Sequence, residues 1–141
     1  MHRKYSERLD EAMKYVKWGN TDKKVPAIAL GCMRMNGISF EGAVKMVDGA
    51  LARGVNFFDH ADIYGRGECE TIFGKVMKEI GCKREDLFIQ SKCGIVPGVM
   101  YDFSKQHILE AVDGSLKRVS GCAAFAPPGC AYGAGGGSGS L

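Results

Sequence analysis

From residue 27 to residue 119, apolar positions switch between two patterns: short unbroken runs, and longer stretches where they return every three or four residues. The first run, Ala27-Ile28-Ala29-Leu30-Gly31, predicts a short buried strand. Phe40, Ala43, Val44, Val47, Ala50 and Leu51 then follow helical spacing, with Ser39 as N-cap and Gly54 as stop. A second unit runs from Val55-Asn56-Phe57-Phe58-Asp59 into a helix that carries Ile72, Phe73, Val76, Met77 and Ile80 on one face and ends at Gly81. The third runs from Leu87-Phe88-Ile89-Gln90-Ser91-Lys92 into a helix that starts near Ser104, with Ile108, Ala111, Val112, Leu116 and Val119 inside. Strand starts about 30 residues apart match the length of a βα unit, so the pattern predicts an α/β fold with a parallel sheet under helices. Upstream, Tyr15-Val16-Lys17-Trp18, the Gly19-Asn20 turn and Lys24-Val25-Pro26 predict a small β-hairpin, placed like a plug over one end of a barrel.

The regularity stops near residue 119. Every charged residue lies at or before Arg118, and 120–141 is a Gly/Ala-rich tail with the linker-like run Gly135-Gly136-Gly137-Ser138-Gly139-Ser140. Such composition cannot bury enough apolar surface to fold, so the tail is expected to be unstructured. Residues 1–12 precede the hairpin as an extension, and Met13 is an alternative translation start. The expected organisation is therefore an extension (1–12), an α/β body (13–119), which the resemblance given below makes a partial barrel, and a tail (120–141).

Composition narrows the function. The chain has 141 residues, 45% hydrophobic and 25% charged, which suits a globular domain and excludes collagen-like or wholly disordered material. No apolar run reaches the ~18–20 residues a membrane span requires, so no membrane partner is expected. Met1-His2-Arg3-Lys4 leads into no apolar core of a secretory signal, which makes the cytoplasm the expected compartment. A net charge of +3 with both signs interspersed gives no basic patch for nucleic acid. Cys32, Cys69, Cys82, Cys93, Cys122 and Cys130 form no C-x-x-C pair and have no histidine at ligand spacing, so no metal is expected and the thiols read as reduced.

In parallel α/β folds the working residues stand at the C-terminal ends of strands. Those ends carry Gly31-Cys32-Met33, then Asp59 with Tyr64 five residues on, then Lys92. A phenol titrates near 10 and donates its proton at neutral pH only if the anion is stabilised, which a nearby ammonium does. Lys92 can supply that charge, and Asp59 can hold Lys92 protonated and aimed. Asp59, Tyr64 and Lys92 thus read as a general-acid device for protonating an oxygen whose carbon receives a hydride. Singly, an aspartate or lysine at a strand end is an ordinary solvated rim charge; the ordered set carries the catalytic reading. His60 reads as a packing or hydrogen-bonding residue, His107 as a surface residue, and Gly65-Arg66-Gly67 as a turn between strand and helix and not as a phosphate loop.

Phe57-Phe58-Asp59-His60-Ala61-Asp62-Ile63-Tyr64-Gly65, Ile28-Ala29-Leu30-Gly31-Cys32-Met33 and Ile89-Gln90-Ser91-Lys92-Cys93-Gly94 resemble the aldo-keto reductases over about residues 13–119. Within that family the resemblance points to a bacterial, YdhF-like group of NADP-dependent oxidoreductases. It implies a (β/α)8 TIM barrel, here its first three βα units, and hydride transfer between NADP(H) and a small carbonyl or alcohol. It also implies catalytic roles for Asp59, Tyr64 and Lys92, with Gly31, Cys32, Met33 and Asp59 facing the cofactor. The family's fourth catalytic residue, a histidine after the fourth strand, would fall where this sequence turns into its tail. A truncated form inactive alone is therefore expected, and the competing expectation is a non-catalytic partial barrel that associates through exposed sheet edges.

The genetic code adds an expectation about the tail. Codons formed from the last two bases of one residue and the first base of the next permit His at Ala126-Pro127, Arg at Pro127-Pro128, Pro at Pro128-Gly129 and Asp at Gly129-Cys130. In the same register Cys122 to Phe125 permits Val-Leu-Leu-Leu, an apolar strand leading into His-Arg-Pro-Asp. The middle base of most such codons is free, so the length of the run carries the argument. The tail is expected to be a frameshifted reading that hides the missing histidine.

Overall fold

The structure is a computed structural model and describes residues 13–120. The extension 1–12 and the tail beyond Ser120, including the hidden-frame reading, lie outside the described residues. Strands β1 (Tyr15–Lys17) and β2 (Lys24–Pro26) pair antiparallel with Val16 opposite Val25, forming the expected hairpin. Strands β3 (Leu30–Gly31), β4 (Phe57–Asp59) and β5 (Phe88–Gln90) form a parallel sheet in the order β3-β4-β5. Helix α1 (Phe40–Leu51) connects β3 to β4, and α2 (Glu68–Ile80) connects β4 to β5. After β5 comes a second antiparallel hairpin, β6 (Ile95–Val96) and β7 (Met100–Tyr101), then α3 (Lys105–Ser120).

The helix ends follow local chemistry. Ser39 Oγ accepts from the Gly42 N–H at 3.1 Å, the expected N-cap of α1, though the helix ends at Leu51 and Gly54 turns the chain afterwards at φ 77°. Gly81 ends α2 in the left-handed region at φ 72°, its N–H bonded to the Met77 carbonyl. Ser104 Oγ accepts from the His107 N–H at 3.3 Å and opens α3.

Side-chain alternation divides the work of the sheet. Phe58 and Ile89 pair across β4 and β5 and are buried under the helices with Val47, Phe73 and Val76. On the opposite face, Trp18 from the first hairpin meets Phe57 at 5.2 Å and Phe88 at 6.3 Å between ring centroids. Asp59 lies two residues beyond Phe57, so the face that Trp18 covers at one end carries Asp59 at the other.

Two expectations about burial are corrected. Ala27-Ile28-Ala29 is neither strand nor buried, and Ile28 is 62% exposed. β3 is an edge of the sheet among the described residues, so nothing covers its approach. On α3, Ile108 is exposed instead of facing the core, whereas Ala111, Val112, Leu116 and Val119 are half-buried. That helix closes on α2 at its C-terminal end, where a Cβ on Gly74 would overlap the Arg118 carbonyl oxygen and lie 2.8 Å from that of Val119. Gly74→Ala should force the two helices apart and cost about 2 kcal/mol, read as a lowered urea midpoint; an unchanged midpoint would show that they do not close there. Among the described residues no helix is long and apolar enough to cross a membrane.

Candidate active site

Backbone pairing continues past the formal strand ends and sets the rim. The Cys32 N–H donates to the Asp59 carbonyl at 2.9 Å, the His60 N–H to that of Gln90 at 2.8 Å, and the Asp62 N–H to that of Lys92 at 2.9 Å. Asp59 stands opposite Gln90 in register, and Lys92, two residues on, returns to the same face. There the Lys92 ammonium donates to both carboxylate oxygens of Asp59 at 2.8 Å and to the His60 carbonyl at 2.6 Å. An ammonium has three donors, and all three are placed. Gln90 Nε2 adds a bond to Asp59 Oδ1 at 2.8 Å. Both side chains of the ion pair remain partly exposed, 45% for Lys92 and 29% for Asp59, so its consequence is orientation more than stability.

Tyr64 stands half-buried at the same rim, with the Lys92 nitrogen 5.2 Å from its ring centroid. The ammonium therefore meets the face of the ring, and its hydrogen bonds go to Asp59 and His60, not to the phenol oxygen. Tyr64 is turned into place by Gly65, Arg66 and Gly67, all at positive φ (56°, 56° and 89°). At Gly67 the Arg118 side chain occupies the space of a Cβ, 2.9 Å away, so glycine is required there for packing as well as for backbone. This segment is a turn, as its composition suggested.

The last residue of β3 and the two that follow it separate. Gly31 is exposed with open space where a Cβ would stand, and Met33 is 53% exposed beside it. Cys32 turns into the core, where burial, and then the nearby charges of Asp59 and Cys69, push its thiol up to about 12. It is a neutral packing group, and only its backbone faces the rim. Met35 is likewise buried in the core.

Behind the rim lies a polar layer. His60 is fully buried with its ring edge-on to Phe73 at 4.6 Å, and both ring nitrogens lack a partner among the described residues. Burial, helped by the Lys92 charge and opposed by Glu70 and Asp59, pushes its imidazole down to about 4, so it is neutral. Between an ordinary value of 6.5 and about 4 the unfolded chain binds a proton that the folded chain refuses. Stability should therefore fall as pH drops through that window, by up to about 3 kcal/mol in all. Urea midpoints should fall more steeply on acidification in the native chain than in His60→Leu, and equal slopes would contradict a neutral buried imidazole. Asp62 is half-buried, its carboxyl raised by burial and by the Glu70 charge. His107, expected at the surface, is half-buried with Nε2 enclosed, and it lies near enough to Asp62 to act on that carboxyl electrostatically.

Three features escaped the sequence argument. Glu70 is fully buried and paired with Arg118 at 2.7 Å; the signal was a carboxylate on the apolar stripe of α2, three residues before Phe73. Ser91 donates to Glu70 at 2.5 Å. The β6–β7 hairpin was signalled by Pro97-Gly98 between two pairs of strand-forming residues.

Comparison with known proteins fits this geometry. Residues 27–123 match the profile of the aldo/keto reductase family. The chain is 37% identical over 109 residues to the 6-dehydroglucose reductase of Novosphingobium aromaticivorans, a match covering 72% of this chain and 36% of that relative. It is 31% identical over 112 residues to a probable voltage-gated potassium channel subunit beta of Oryza sativa, covering 76% of this chain and 34% of the relative. An aldo-keto reductase of Bacillus halodurans, solved in its holo form, superposes with a TM-score of 0.66 at 34% identity, covering 76% of this chain and 36% of that structure. The chain thus spans about a third of the length of these relatives, and its three βα units are those of their (β/α)8 barrel. The chain belongs to the aldo/keto reductase family.

Proposed function

We propose that the chain carries the proton-donating part of an NADP(H)-dependent site that transfers a hydride between the cofactor and a small carbonyl or alcohol, as in the bacterial YdhF-like group. The observation that carries this reading is the Lys92 ammonium held by Asp59 at 2.8 Å and set against the Tyr64 ring at 5.2 Å, on one rim of a parallel sheet. The rim fits the cofactor: Gly31 and the exposed Met33 leave an open, apolar floor for a planar nicotinamide, with the Cys32 backbone and Asp59 beside it. When bound, the nicotinamide supplies the hydride. Tyr64 gives its phenol proton to the substrate oxygen, the Lys92 charge stabilises the phenolate left behind, and Asp59 fixes that charge in place.

Residues 13–119 hold the first three βα units of the family's barrel, and we infer that the reaction needs the rest of that barrel as well. β3 and β5 are sheet edges among the described residues, and Ile28, Met33, Val99, Met100, Tyr101 and Phe103 are exposed, which favours association with itself or another barrel portion. Size-exclusion chromatography with an NADPH fluorescence titration tests this: an associated species without micromolar NADPH affinity is expected, and a monomer that binds NADPH would overturn it. The tail 120–141 is proposed as a frameshifted stretch whose offset frame holds an apolar strand and His-Arg-Pro-Asp, the histidine completing the site. The coding DNA decides this, and an offset frame without that strand and histidine ends the proposal.

A further inference from the structure

Among the described residues Glu70 is the one fully buried carboxylate, the proposed reaction does not use it, and its surroundings connect it to Lys92. Its side chain is fully buried on α2. One oxygen accepts from Ser91 Oγ at 2.5 Å, and the other accepts from Arg118 Nε at 2.7 Å. Arg118 also reaches Ser115 Oγ at 3.4 Å and fills the space beside Gly67, which follows Tyr64 in the same turn. A buried carboxylate is tolerated only when its oxygens are satisfied, and here each has its own donor. Those donors come from two other segments, the residue just after β5 and the last turn of α3.

The placement of Ser91 gives this network its consequence. Regular strand structure ends at Gln90, and residues 91–94 have none. Ser91 bonds back to α2, whereas Gln90 and Lys92 on either side of it bond to Asp59. The Ser91–Glu70 bond thus pins the backbone at the residue before Lys92. Lys92 must meet three acceptors at once, Asp59 Oδ1, Asp59 Oδ2 and the His60 carbonyl, which a drifting backbone would prevent.

We propose that Glu70, acting through Ser91, is the positioning residue for Lys92, and that Arg118 in turn fixes Glu70, so that the end of α3 is coupled to the rim. This rests on the reading of Lys92 as a site residue, but not on the chain being active alone. It differs from a plain helix staple in one respect: a staple would hold α2 to α3 without affecting the lysine.

Acylation of lysines by a limiting amine-reactive acetyl ester, followed residue by residue by mass spectrometry on the full chain, tests the proposal. With all three donors engaged, Lys92 should react about tenfold more slowly than the exposed Lys45 and Lys75. In Ser91→Ala, measured well below its melting temperature, that protection should disappear while the rates at Lys45 and Lys75 stay close to the native values; the melting temperature should fall by a few degrees, because one oxygen of the buried Glu70 loses its donor. Ser91→Thr, which keeps the hydroxyl, should restore it. A Lys92 as reactive as Lys75 in the native chain would overturn both the Asp59–Lys92 pair and the proposal. Protection that persists in Ser91→Ala would overturn the proposal alone, leaving Glu70 and Arg118 as a staple.

Discussion

Tyr64→Phe is expected to lower NADPH-dependent reduction of small aldehydes by about 10²–10⁴-fold, the usual contribution of a positioned general acid, in a full-length barrel that contains these residues. The phenylalanine ring keeps the packing of the turn at Gly65-Arg66-Gly67 and the face that Lys92 meets, so cofactor affinity should change little. Only the transferable proton is lost. A fall in kcat with the NADPH dissociation constant unchanged is the expected pattern, and retained turnover would remove Tyr64 from its role. Lys92→Met should act in the same direction, since it removes the charge that stabilises the phenolate and leaves Asp59 without its partner at 2.8 Å.

The largest effect on stability is expected from Phe73→Ala. Phe73 is fully buried on α2 and lies at the centre of the helix-facing core, 4.9 Å from the Phe58 ring and 4.6 Å from the His60 ring. Truncating such a side chain costs about 3–5 kcal/mol in transfer and cavity energy. A small domain has only about 5–15 kcal/mol in total. The variant should therefore lose most of its cooperative unfolding transition by circular dichroism, and a midpoint equal to that of the native chain would show that the core does not lie at this ring.

The sequence could disclose the βα rhythm because burial imposes it locally. Strand runs such as Phe57-Phe58 and the helical spacing of Phe73, Val76 and Met77 are set by the face each element buries, and the alternation is visible without partners. The rim was legible for a similar reason: parallel strands end together, so Asp59 and Lys92, at the ends of neighbouring strands, had to lie close. What could not be read depends on contacts between distant segments. Glu70 and Arg118 are 48 residues apart, and nothing in either helix alone says that they meet. Ile28 was misread as buried because an apolar run does not reveal whether a neighbouring strand covers it. The position of the Lys92 nitrogen at the ring face of Tyr64, 5.2 Å from its centroid, is a matter of side-chain geometry that spacing does not encode.

The rim is proposed to serve hydride transfer to a carbonyl carbon with proton delivery from Tyr64. The most direct measurement follows the hydride itself, using NADPH deuterated at the transferring carbon, a small aldehyde and a full-length barrel that contains these residues. The expected result is an alcohol carrying one deuterium on its carbinol carbon, formed by the native protein and not by Tyr64→Phe. An alcohol without that deuterium, or labelled product formed equally by Tyr64→Phe, would contradict the account.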